Sequence, residues 1–227
     1  MALQDLTLKG RVAQNNYQAI GVDDVEYYAR LNRRGELVTP ALVQSFVSDG
    51  RVFHASNPAK QTADAVGSTS YSDTQPAWIL DVPTNTSVLL LEFQAKQGGT
   101  VAGDLTTYLL TVDTIVRYSS GGTTAPTIYN MLAKTTQVRA SLCTVYKHGA
   151  TPLVAAATST QETISGGEHV ADVDALAGGH IFYSTLGSVS PWLIGPASLG
   201  IYAYAGTTGP SYFWSLKWAE MPSTSVV

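Results

Sequence analysis

From about residue 37 onward, the hydrophobic positions of this chain alternate with polar ones instead of recurring every third or fourth residue. The longest such run spans 104–118. There Tyr108, Leu110, Val112, Val116 and Tyr118 share one face, while Thr111, Asp113 and Arg117 share the other with Leu109 and Ile115. Near the C-terminus Tyr212, Trp214, Leu216 and Trp218 alternate with Ser211, Phe213, Ser215 and Lys217, which predicts a central strand with an aromatic inner row. The segment 87–95 sets Leu89, Leu91 and Phe93 against Val88, Leu90, Glu92 and Gln94. The segment 138–146 sets Val138, Ala140, Leu142 and Tyr146 against Arg139, Ser141 and Lys147. Shorter strands are predicted at 41–47, 77–82, 152–157, 180–186 and 199–204. Trp78 and Trp192 read as further residues closing the interior.

Between these runs lie Asp49-Gly50, Pro83-Thr84-Asn85, Gly98-Gly99, Gly121-Gly122, Gly166-Gly167, Gly178-Gly179 and the stretch Gly206 to Pro210, all of which read as turns. Many short strands without long amphipathic helices between them predict an all-β protein, a sandwich or a barrel of antiparallel strands. Residues 37–222 form its single domain and 223–227 a short tail. No fixed-period repeat is present. Residues 1–36 differ in kind, holding ten of the thirty charged residues. Asp23, Asp24 and Glu26 precede Arg30, Arg33 and Arg34, an order that suits the dipole of a brief helix. Too few large apolar residues are present there to close a core, so this segment is expected to be an extended N-terminal arm lying across something else.

Composition narrows the function. Charged residues make up 13% of the chain while Ser and Thr together number 46, so the outward strand positions are hydroxyl-rich rather than ionic. That surface suits solvent, or contact with neighbouring subunits. A net charge of −4 and the lack of basic, aromatic-interleaved runs argue against nucleic acid. No apolar stretch is long enough for a membrane-spanning helix, and the opening MALQDLTLKG lacks the apolar core of a secretory signal. The lone Cys143 excludes an intrachain disulfide and reads as a small buried filler.

Catalytic patterns are mostly missing. His54, His148, His169 and His180 are not spaced as metal pairs. Glu168, Asp172 and Asp174 would share one strand face opposite His169 and could gather calcium, but a solvated edge explains them as well. No G-x-S-x-G elbow occurs, and the Gly-Gly pairs lack the Lys-Ser/Thr ending of a phosphate loop. A paired-carboxylate hydrolase would have to draw on sparse acids such as Glu92, Asp104, Asp113 and Glu168. No catalytic, cofactor or metal residue is therefore assigned, and the chain reads as non-enzymatic.

Asp49-Gly50-Arg51-Val52-Phe53-His54-Ala55-Ser56-Asn57-Pro58, then Thr74 to Pro83, and the ending Trp218-Ala219-Glu220-Met221-Pro222 resemble structural proteins of tailed bacteriophages. The likeness covers 49–95 and 199–222 and carries over no functional residue. It implies a jelly-roll-like β-sandwich in the virion, a capsid decoration or cement protein assembled in the host cytoplasm. Its partners would be the major capsid protein and its own copies, as a homotrimer. Two other readings compete: a receptor- or glycan-binding module of a fibre or tail, with exposed aromatics around Tyr202 to Tyr212, and a polysaccharide-acting β-sandwich hydrolase.

Overall fold

A computed structural model describes residues 9–10, 27–28, 42–57, 61–98, 105–123, 127–133, 139–158, 160–170, 180–184, 190–206 and 209–225. In chain order the elements are β1 (Lys9–Gly10), β2 (Tyr27–Tyr28), α1 (Leu42–Ser48), β3 (Val52–Ser56), β4 (Asp64–Ala65), β5 (Trp78–Val82), β6 (Thr86–Gln97), β7 (Leu105–Asp113) and β8 (Tyr118–Gly121). There follow β9 (Tyr129–Asn130), β10 (Thr144–Lys147), β11 (Leu153–Ala155), β12 (Glu162–Val170), β13 (His180–Ser184), β14 (Trp192–Ile194), β15 (Ala197–Ala205), β16 (Ser211–Pro222) and a 3₁₀ turn at Ser223–Ser225.

Two antiparallel sheets carry the fold. The first runs β13-β6-β16-β3-β9, with β14 also on β6 and β4 also on β16; the second runs β10-β5-β15-β7-β12. The eight principal strands are β3, β5, β6, β7, β12, β13, β15 and β16. Numbered one to eight along the chain, they lie in the order 1-8-3-6 in the first sheet and 2-7-4-5 in the second. Consecutive principal strands mostly change sheets, and the last inserts between the first and third. This interleaving of two Greek keys is the jelly-roll sandwich. The expected all-β, jelly-roll-like architecture is therefore observed, with β10 and β9 added at one edge of each sheet.

Side-chain alternation explains why the sheets meet. Tyr212, Trp214, Leu216 and Trp218 of β16 all point inward and are at most 4% exposed. Trp78 of β5 faces them, with ring centroids 5.3 Å from Phe93, 5.9 Å from Tyr212 and 5.7 Å from Trp214. Burying each such side chain contributes about 1.5–3 kcal/mol, and each tilted or edge-on ring pair adds about 0.5–1.5 kcal/mol. Leu199, Ile201 and Ala203 of β15 and Leu110 of β7 complete this interior. Cys143 is buried with them, as expected of a filler.

Several strand expectations are corrected. Residues 42–48 form a helix, α1, because Gly50 at φ +66° closes it. The Gly50 N–H bonds the Val47 carbonyl and the Arg51 N–H bonds that of Phe46, a Schellman ending that a left-handed glycine permits. The helix lays Phe46 on the outer face of the first sheet, over Val52, Leu91, Ala219 and Met221. Leu91 reaches that face through a β-bulge: Lys217 stands opposite Glu92 and Trp218 opposite Leu90, so Leu91 is the extra residue of β6 at this point. The bulge inverts the phase of β6, so Val88 and Leu90 point inward before it and Phe93 and Ala95 after it. Trp192 packs against this outer cluster rather than between the sheets.

The run at 104–118 is also not one strand. β7 stops at Asp113, Ile115 and Val116 are exposed, and the chain restarts as β8 after crossing the outer face of the second sheet. Among the described residues of 138–146 only Thr144 onward is strand, and its phase is opposite to the expected one, with Cys143 and Val145 buried and Leu142 57% exposed. Gly166 and Gly167 are not a turn but lie within β12. A Cβ at Gly166 would come within 2.7 Å of the Leu109 side chain, and one at Gly167 within 2.8 Å of the Tyr108 hydroxyl. In the N-terminal segment β1 and β2 pair antiparallel, so Tyr27 and Tyr28 are extended rather than helical; the remainder of the expected arm and helix lies outside the described residues.

Replacing Trp214 with Ala removes a side chain that contacts Trp78 and whose indole N–H donates to Asp64 Oδ2 at 2.8 Å. The expected loss is about 3–5 kcal/mol in urea denaturation, against near-wild-type stability if the ring faced solvent.

Candidate functional site

Ionisable groups are few, so their placement is informative. Arg117 is 2% exposed and lies on the outer face of the second sheet, where the chain crosses from β7 to β8. Its Nε donates to the Ala156 carbonyl at 3.0 Å, Nη1 to Gln161 Oε1 at 2.6 Å and to the Tyr202 hydroxyl oxygen at 3.0 Å, and Nη2 to Asp73 Oδ2 at 3.1 Å. Asp113 Oδ2 stands 3.7 Å from Nε. The Tyr202 hydroxyl donates in turn to the Asp73 carbonyl at 2.8 Å, and burial pushes its pKa up, keeping the proton in place. One buried cation thus fastens two covering segments, around Asp73 and around Ala156 to Gln161, to the sheet beneath.

Asp81 of β5 holds the same crossing from below. Its two oxygens accept the backbone N–H groups of Arg117 and Tyr118, each at 3.2 Å. Burial pushes its pKa up, against the pull of those two hydrogen bonds. Beyond the crossing, the Tyr118 and Tyr146 rings stack at 3.6 Å above a small cluster of Ile79, Leu153 and Ala155. Glu220 is an inward-facing carboxylate with no exposed surface. It takes the Trp218 indole N–H at 2.9 Å, the Leu142 N–H at 3.0 Å, the Cys143 N–H at 3.4 Å and the Ser141 hydroxyl. It therefore anchors the lead-in to β10, which explains why that strand begins only at Thr144. Lys147 Nζ reaches Asp64 Oδ1 at 2.8 Å, from the second sheet to the small strand β4 attached to the first.

These roles bear on the chemistry weighed from the sequence. Asp113 is engaged by Thr160 at 2.6 Å and by Arg117. Glu92 is bound to Lys217 on the outer face of the first sheet. Glu168 sits opposite Thr107, six residues along β7 from Asp113, roughly 20 Å by strand rise and well beyond the about 5–9.5 Å a glycosidase pair requires. Asp104, Asp172 and Asp174 lie outside the described residues, as do the side chains of His169 and His180. Among the described residues no group of three His, Cys, Asp or Glu could hold a metal, and no helix is long and apolar enough to cross a membrane. Burial and the nearby Glu220 charge push the Cys143 thiol far up, so it is no nucleophile. Tyr202 and Tyr212, expected to be exposed for glycans, are at most 2% exposed. Tyr202 is fixed beneath Asp73, and Tyr212 lies between the sheets.

Two surface features stand out. A cleft of about 280 Å³ opens between the end of β7 and the 191–197 segment, lined by Asp113, Thr160, Glu162, Pro191 and Ile194 among others. At the free edge of the first sheet, Tyr129 and Met131 are 59% and 41% exposed. Asn130 between them donates to the carbonyls of Gly50 and Arg139, drawing the segment that carries exposed Leu142 alongside. Sequence reasoning missed this corner because it assigned Leu142 to an inner face.

Arg117→Met should cost about 3–5 kcal/mol, since the Asp113 carboxylate loses its facing cation and the Ala156 carbonyl and Gln161 Oε1 lose the guanidinium donor inside the protein; thermal unfolding at neutral pH measures it. His148 accepts the Leu153 N–H through Nδ1 at 3.4 Å, and burial lowers its pKa. The unfolded chain thus takes up this proton more readily, and the stability conferred by the neutral ring, complete above the ordinary histidine value, is lost as pH falls through the folded value. An NMR titration should place the His148 midpoint below that of an unstructured histidine. A midpoint at or above it would contradict the buried, accepting ring. Comparison with known proteins finds no matching family model, no matching curated protein and no matching solved structure.

Proposed function

We propose that this chain is a non-enzymatic virion component of a tailed bacteriophage, a decoration or cement protein that packs as a homotrimer on the capsid and braces the major capsid protein. The observation that carries this reading is the exposure of Tyr129 and Met131 at a two-residue edge strand, with exposed Leu142 on the segment that Asn130 ties to it. Exposed apolar side chains gathered at a sheet edge favour association with another protein surface. A sandwich whose covering segments are pinned by Arg117, Asp81 and Glu220 supplies a stiff body behind such a contact. Low charge and abundant hydroxyls suit faces that lie against neighbouring copies. The resemblance of 49–95 and 199–222 to phage structural proteins points the same way.

The full chain should elute as a trimer in light scattering and co-sediment with phage heads that lack it. The double variant Tyr129→Glu, Leu142→Glu should lose at least tenfold in head binding with an unchanged melting temperature. A monomer that leaves such heads unbound would overturn the proposal.

A further inference from the structure

Past the Trp78 end of β5, where that strand begins, the chain at Ser68 takes its place beside β15. Ser68 donates its N–H to the Ala203 carbonyl and accepts from the Ala205 N–H, both at 3.0 Å. Three residues later Tyr71 lies over the outer face of the second sheet, its ring 5.3 Å from Tyr202 and 5.9 Å from Tyr204. Tyr71 is 46% exposed and Tyr204 half-buried. Across the sheet Tyr204 pairs with Thr107, and Thr107 with Glu168. The Thr107 hydroxyl stands 3.5 Å from Glu168 Oε1, and Glu168 is exposed. Tyr71, Tyr204, Thr107 and Glu168 thus form one row on one face, and its three-strand part spans roughly 10 Å at the usual strand spacing.

We infer that this row is a binding platform for a neutral oligosaccharide. The ring faces of Tyr71 and Tyr204 are amphipathic surfaces suited to the C–H face of a pyranose. The Glu168 carboxylate and Thr107 hydroxyl stand at the far end, where they accept sugar hydroxyl protons. Burial, then the charge of Asp73, push the Tyr71 hydroxyl pKa up, so it remains a donor. The row itself carries a carboxylate and no cation, and the nearby Arg117 is fully engaged by its own partners, so anionic ligands are disfavoured. A protein partner would meet an apolar stripe interrupted by an exposed carboxylate. A disaccharide offers a hydroxyl there. The platform stands on a different sheet from the Tyr129 corner and does not depend on the virion reading.

Saturation-transfer NMR on the full chain with maltohexaose, cellohexaose, chitohexaose and dextran tests this. At least one should bind the wild type, Tyr71→Ala should weaken it at least tenfold, and Glu168→Gln at least threefold, with melting temperatures unchanged. Phe213→Ala, which removes an exposed ring from the outer face of the other sheet, should leave binding intact. Several results would each overturn the inference: no binding of any of the four, full binding by Tyr71→Ala, an equal loss in Phe213→Ala, or a change of oligomeric state in Tyr71→Ala in place of lost sugar binding.

Discussion

The fold depends on the last strand reaching a slot between the first and third. β16 pairs with β3 over Ser215 to Ala219 and with β6 along its whole length, so the first sheet has no continuous centre until the C-terminus arrives. What draws it there is its inward row: Tyr212, Trp214, Leu216 and Trp218 pack into the cluster that holds Trp78, Phe53 and Phe93. β15, its neighbour in sequence, belongs to the opposite sheet, which separates β16 from the partner a simple hairpin would supply. Pairings this distant along the chain make closure a late event in folding, since loop entropy must be overcome before the contacts form.

The scarce charges fall at the junctions this topology creates. Glu220 joins the end of β16 to the entrance of β10, and Lys147 with Asp64 joins β10 to the strand beside β16. Both bridge the two sheets. Asp81 and Arg117 clamp the passage from β7 to β8 against the outer face of the second sheet. Buried ionic groups of this kind add little net stability over well-packed apolar ones but penalise any arrangement that leaves them unpaired. Here they select one path for the connecting segments over a core that hydrophobic burial alone would leave less defined.

Where alternation is uninterrupted, as over Tyr212 to Trp218 of β16, the inner face follows from the sequence residue by residue. It becomes unreadable where a tertiary contact changes the period. The extra residue at Leu91 flips half of β6, and nothing in a run of four aliphatic residues marks which one is extra. The Glu220 anchor delays β10 and reverses its phase from 78 residues away, a cause invisible to any local window. Residues 42–48 carry few helix signals, and the decisive one, Gly50, serves equally as a turn. Gly166 and Gly167 look like punctuation because their reason, the side chains of Leu109 and Tyr108 lying over them, belongs to another strand. Among candidate functional residues, the exposed tyrosines are Tyr71 and Tyr129 rather than Tyr202, which is fixed under Asp73, or Tyr212, which lies between the sheets.

Interstrand NOEs measured on isotopically labelled full-length protein test this closure most directly. The account predicts backbone cross-peaks from Leu216 to both Ala55 and Phe93, placing β16 between β3 and β6. Cross-peaks pairing β16 with β15 as a hairpin, and none to β3, would contradict it.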